Sequence, residues 1–142
     1  MEAKRKETIV QFIKYGLVGV MNTLVTLGVI YVAKTFCGVP LMGANALGYI
    51  CGLINSFLWN KAWVFHSKKG FTGEALKFIC GFAVCYALQF AVVWALNYQA
   101  PLGGMEWDTC GLTFSGYAVA TLIGNVVYTI ANFIYNRTVT FK

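Results

Sequence analysis

Four apolar stretches, each about 20 residues long, leave this chain few ways to fold. They run over residues 12–33, 41–62, 77–97 and 112–135. Lys14 interrupts the first near its start, and no Asp or Glu falls within any of them. A helix needs about 20 mostly apolar residues to cross a hydrocarbon core about 30 Å thick. Hydrophobic residues make up 58% of the 142-residue chain and charged residues 11%, against about 25% charged in a soluble domain. A water-soluble protein this small cannot hide that much apolar surface, whereas a bilayer acts as an apolar solvent for it. The expectation is a single all-α membrane domain over residues 1–142 with four spanning helices. The first stretch is too long, and lacks the small-residue cleavage pattern, for a removed signal peptide.

The connections agree with this. Cys37-Gly38-Val39-Pro40 reads as a tight turn. His66 to Glu74 reads as a polar connection, and Pro101 to Asp108 as a second loop. The net charge of +6 could suggest nucleic acid, but the placement of the charges argues otherwise. Of 11 basic residues, Lys4, Arg5, Lys6, Lys14, Lys61, Lys68, Lys69, Lys77, Arg137 and Lys142 fall on one side of the four-span topology, and Lys34 alone on the other. The positive-inside rule then puts both termini in the cytoplasm.

The chain also repeats. A shift of 76 residues lays Ala44 on Ala120, Gly48 on Gly124, Phe57 on Phe133, Asn60 on Asn136, Lys61 on Arg137 and Phe65 on Phe141. Phe12-Ile13 and Phe78-Ile79 form a weaker echo. Each repeat is thus expected to be one helical hairpin, with the two hairpins entering the membrane in the same direction. Transporters built this way often place a substrate site between repeats; duplication can equally just make a stable bundle.

Ala44, Gly48, Gly52, Ser56 and Asn60 share a four-residue spacing, as do Gly116, Ala120, Gly124, Tyr128, Asn132 and Asn136. Such a step keeps side chains on roughly one face, and small residues there let helices approach closely. Asn22, Asn45, Asn55, Gln89 and Asn125 are further amides at membrane depth. An amide in hydrocarbon needs a partner, so each can clip two helices together. Clustered with Lys14, Lys61 and Arg137, the amides Asn22, Asn55, Asn60, Asn132 and Asn136 can instead line a cationic pocket at the inner leaflet. Lysine and arginine donate to phosphate oxygens; snorkelling to ordinary lipid headgroups is the alternative.

Other features read more simply. Trp59, Trp63, Phe65, Tyr135 and Phe141 at one boundary, and Trp94, Tyr98 and Trp107 at the other, match aromatic belts. His66 has no second histidine for a metal site, and none of the five cysteines forms a Cys-x-x-Cys pair. Cys37 and Cys110 both fall near the outer side, so a disulfide there is conceivable. No nucleophile–base pair, phosphate loop or carboxylate pair is present, so neither an enzyme nor a cofactor is expected. Proton-coupled cation export would call for an acid within the spans, and these spans have none.

Phe12-Ile13-Lys14-Tyr15-Gly16-Leu17-Val18-Gly19-Val20-Met21-Asn22-Thr23 resembles the opening of the GtrA-like family. So does Asn55-Ser56-Phe57-Leu58-Trp59-Asn60-Lys61-Ala62-Trp63-Val64-Phe65, and Ala131 to Phe141 repeats that motif. The resemblance spans essentially the whole chain. It implies a multi-pass protein of the bacterial cytoplasmic membrane that flips a polyprenyl-phosphate-linked sugar for cell-surface polysaccharide or teichoic-acid glycosylation. A membrane glycosyltransferase would be its partner, and a non-transporting subunit that recruits such an enzyme is the alternative. Lys61 departs from the commoner Arg, which removes the bidentate fork there. Four helices are thin for enclosing a sugar phosphate, so a dimer or larger homo-oligomer is expected.

Overall fold

The structure, a computed structural model, describes residues 2–109 and 112–142. Its long helices are α1 (Glu2–Thr35), α2 (Leu41–Trp59), α3 (Phe71–Tyr98) and α4 (Gly116–Tyr135). α2 continues into a five-residue π-helical turn, Asn60–Val64, and α4 into another, Asn136–Thr140. All four helices are long and apolar enough to cross a membrane. Only 11–22% of the most apolar window of each span is buried inside the protein. Leu24, Tyr49, Phe90 and Leu122 are among the large side chains left exposed on the helices, as lipid-facing positions require.

Three boundaries differ from the sequence reading. α1 starts at Glu2, not near residue 12, because the charged opening continues the helix. At about 1.5 Å per residue its 34 residues reach about 51 Å, well beyond the hydrocarbon core. α3 starts at Phe71, so Phe71 to Glu74 is helix, and Glu74 is buried in its first turn. α4 starts at Gly116 rather than residue 112. Leu112–Ser115 is instead a short strand, β2, paired antiparallel with β1 (Glu106–Thr109) after a 3₁₀ turn at Pro101–Gly104. The alternation Leu112-Thr113-Phe114-Ser115 has the period of a strand. Thr113 Oγ1 donates to Asp108 Oδ1 at 2.7 Å across the pair. Ser115 then caps α4, its hydroxyl accepting from the Ala118 N–H at 3.3 Å.

The chain forms two compact units, one of residues up to Lys69 together with Phe141, the other Gly70–Thr140 with Lys142. The boundary falls between the two repeats. In the first unit, α1 ends at Gly38, whose φ of 63° suits a glycine, and the Val39 N–H bonds the Ala33 carbonyl at 3.1 Å. Pro40 then opens α2. α2 packs on α1 through its small residues. A Cβ on Gly48 would lie 2.6 Å from Ile30 Cγ1 and 2.9 Å from the Thr26 carbonyl, and one on Gly52 would meet Thr26 Oγ1. Phe141 stacks on Phe65, with ring centroids 5.1 Å apart, and lies 5.9 Å from Phe57.

In the second unit the same device recurs. A Cβ on Gly124 would lie 2.5 Å from Val93 Cγ2, and one on Gly81 would collide with the Tyr135 ring. The repeat holds in three dimensions at these positions: Ala44 and Ala120 are both 0% exposed, and Phe57 and Phe133 are both buried. By contrast Gly16, Gly19 and Gly28 on α1 have open space where a Cβ would go.

Gly48→Leu is therefore expected to weaken the first hairpin, in the range of about 1–3 kcal/mol seen for overpacking. Gly28→Leu should leave stability nearly unchanged. Thermal unfolding of both variants in the same detergent, followed by size-exclusion chromatography, checks the contrast.

Candidate functional site

The polar side chains of the first unit fall at two depths. Deeper in, Asn55 Nδ2 donates to Asn22 Oδ1 at 2.7 Å and ties α2 to α1. Along α1, Asn22 stands about 12 Å from Lys14 at about 1.5 Å per residue. This pair serves as a helix clip. The second unit has its own clip, Gln89 Nε2 donating to Asn125 Oδ1 at 2.6 Å between α3 and α4.

The basic end of the first unit is built on the π-turn. Asn60 starts it and is 1% exposed. Its Nδ2 donates back to the Ser56 carbonyl at 2.8 Å and the Ser56 hydroxyl at 3.2 Å, while its Oδ1 is buried without a partner. The Phe65 N–H closes the wide turn onto the Asn60 carbonyl at 2.9 Å. His66 then adopts a left-handed φ of 51°, and the Ser67 N–H reaches the Lys61 carbonyl at 2.9 Å. The lone histidine thus terminates a helix in the place where glycine is usual. Lys61 donates through Nζ to the Lys69 carbonyl at 2.8 Å. Lys14 Nζ sits 5.2 Å from the Trp63 ring centroid, a cation–π distance.

The second unit repeats this end with a variation. Asn136 starts its π-turn and is 0% exposed. Its Nδ2 donates to Asn132 Oδ1 at 3.4 Å, and Asn132 Nδ2 donates to the Tyr128 hydroxyl at 3.3 Å. Tyr128, Asn132 and Asn136 form a ladder at four-residue steps along one helix. Asn136 Oδ1 and Thr140 Oγ1 are buried without partners. Arg137 follows, half-buried, and makes no hydrogen bond or ion pair among the described residues.

The expected site residues therefore separate into roles. Lys14, Lys61 and Arg137 stand at basic ends. Asn60 and Asn136 are covered by protein, and they shape the turns that carry Lys61 and Arg137. Asn132 supports Asn136, and Asn22 and Asn55 bind each other. The two π-turns were not foreseen. The matched Asn–basic pairs were their one signal in the sequence, since an i→i+5 turn has no residue signature of its own. π-Turns inside helices are frequent at functional sites. The side chain of Trp107 and the whole of Cys110 lie outside the described residues, and with them any pairing of Cys37 with Cys110.

Two apolar hairpins, each closing on a buried asparagine and a basic residue, define a multi-pass membrane protein with a duplicated polar end. The chain belongs to the GtrA/DPMS transmembrane-domain family, whose pattern matches residues 14–141, from Lys14 to Phe141. It is also similar to the "Uncharacterized membrane protein YngA" of Bacillus subtilis (strain 168). The two are 30% identical over 132 residues, covering 93% of this chain and 80% of that protein.

A double-mutant cycle of Asn22→Ala and Asn55→Ala is expected to give a coupling of about 0.6 kcal/mol, and no more than about 1.7. Unfolding free energies in detergent measure it. His66→Gly should stabilise the protein by up to about 1 kcal/mol, because glycine accepts the left-handed backbone without strain.

Proposed function

We propose that the protein carries a polyprenyl-phosphate-linked sugar between the leaflets of a bacterial cytoplasmic membrane, supplying cell-surface polysaccharide or teichoic-acid glycosylation. The observation that carries this reading is Arg137. A half-buried guanidinium without an acceptor among the described residues favours an anionic ligand, and phosphate suits its planar fork. Lys14 and Lys61 offer further charge at the corresponding end of the first hairpin. The excess of basic residues at these ends assigns them to the cytoplasmic face, where a lipid-linked sugar would be collected. The polyprenyl chain would remain in lipid, beside the exposed apolar side chains of the helices. Family membership is consistent with this role.

A second reading rests on the exposed Lys68 and Lys69 in the connection between the hairpins. They would dock an acidic surface of a membrane glycosyltransferase, and the chain would then be its non-transporting subunit. In both readings a homo-oligomer gives the thin hairpins more to pack against.

Purified protein in proteoliposomes is expected to move a polyprenyl-phosphate sugar between leaflets. Arg137→Ala should slow this by about tenfold or more, the worth of a charge-assisted hydrogen bond, and Arg137→Lys should fall between. No transport by the wild-type protein, with a glycosyltransferase that co-purifies and is lost when Lys68 and Lys69 become Glu, would favour the second reading instead.

A further inference from the structure

The second unit holds an open cavity, a groove of about 330 Å³ between α3 and α4 with mostly exposed rings along it, at the end away from Arg137. Thr121, on its wall, stands about 24 Å from Arg137 along the helix at about 1.5 Å per residue. That is most of the thickness of a hydrocarbon core. The volume lies at the low end of small-molecule pockets. Its walls are aromatic and amide, with Tyr86, Trp94, Tyr98 and Tyr117 alongside Gln89 and Asn97. No charged side chain is among its described lining residues.

Two acceptors at this wall lack donors among the described residues. Asn97 Oδ1 is buried without a hydrogen bond. Gln89 commits its Nε2 to Asn125, and its Oε1 makes no hydrogen bond among the described residues. A buried acceptor left unpaired is costly, and such groups are uncommon. An aromatic belt explains exposed Trp94 and Tyr98 rings, but it does not explain an orphaned amide oxygen beside them. A ligand that presents several hydroxyl donors and an apolar ring face answers both features. The missing charge disfavours a phosphate or a uronic acid, which would be desolvated there without a counter-ion.

We propose that this cavity is a binding site for an uncharged sugar ring, stacked on Trp94 or Tyr98 and donating a hydroxyl to Asn97 Oδ1. On the carrier reading, on which the source of that sugar rests, the cavity receives the sugar of the lipid-linked substrate at the leaflet opposite Arg137.

Saturation-transfer NMR on the full protein in lipid nanodiscs tests this, with methyl glucoside and methyl galactoside as probes and methyl glucuronide as the charged comparator. At least one neutral glycoside should give a signal. Asn97→Leu and Trp94→Ala should each weaken it about tenfold, as loss of a hydrogen bond or a stacking ring would, and Arg137→Ala should leave it intact. Because Asn97 Oδ1 has no hydrogen-bond partner among the described residues, Asn97→Leu should also raise the melting temperature. The proposal falls if no neutral glycoside gives a signal, if Asn97→Leu leaves the signal unchanged, or if the glucuronide binds equally well. It falls too if Asn97→Leu lowers the melting temperature, or if only lipid acyl protons contact the cavity. Hexoside binding lost on Asn97→Leu in a protein that moves no lipid-linked sugar would sink the carrier reading and keep the site. Transport with an unaltered hexoside signal in Asn97→Leu would do the reverse.

Discussion

A side-chain amide within a bilayer has no water to turn to, and the polar architecture of this chain follows from that constraint. Each hairpin spends one amide pair on holding its two helices together, Asn22 with Asn55 and Gln89 with Asn125. Each then lets its helices approach at a glycine, Gly48 in one and Gly124 in the other. Without a hydrophobic force between helices in lipid, close backbone approach and hydrogen bonds across helices supply the association. Once those needs are met, the buried side-chain oxygens left without a partner among the described residues are few. Asn60 Oδ1, Asn136 Oδ1 and Thr140 Oγ1 lie in the π-turns, Asn97 Oδ1 lies at the cavity wall, and Gln11 Oε1 lies on α1.

The two π-turns show how one local solution was kept through duplication while its details changed. In both, an asparagine at the turn's first position sends its Nδ2 back four residues. It finds the serine backbone carbonyl and hydroxyl in the first hairpin and the side-chain oxygen of an asparagine in the second. The bond straps the asparagine to the preceding α-helical turn just where the backbone widens. The next residue, Lys61 or Arg137, is basic in both copies. Lys61 is anchored to a backbone carbonyl of the connection that follows, whereas Arg137 keeps its guanidinium uncommitted. The repeats therefore share a frame, and their charged groups are available to different degrees.

The helical class, the four spans and the duplication were legible in the sequence because each rests on composition or spacing over many residues. Hydropathy places a span, but it does not tell where a helix stops once the chain leaves the apolar layer. This is why α1 and α3 begin earlier than their apolar stretches and why β2 occupies the expected start of α4. Of the candidate site, Lys14, Lys61 and Arg137 could be grouped by charge, and Asn60 and Asn136 by the repeat. That Asn22 and Asn55 would satisfy each other depends on the angular phase of two helices, which a linear pattern does not carry. The burial of Asn60 and Asn136 depends on the π-turn, a backbone choice set by packing around the helix end.

Charge and its absence are divided between the ends of the second hairpin, and the division bears on how a carrier could work. A site that binds an anion through several desolvated cations holds it too well to release it. Selective passage requires binding strong enough for entry and weak enough for exit. On the carrier reading, a guanidinium uncommitted among the described residues, with its neighbouring asparagine sealed beneath protein, would meet the first demand without exceeding the second. At the other end, stacking and one hydroxyl contact would give a weak, neutral station that holds a sugar without retaining its phosphate. On that reading the phosphate is recognised where charge is available, and the sugar where it is not. The direction of net movement would then be set by whichever reaction consumes the sugar, since neither end is built to bind it tightly.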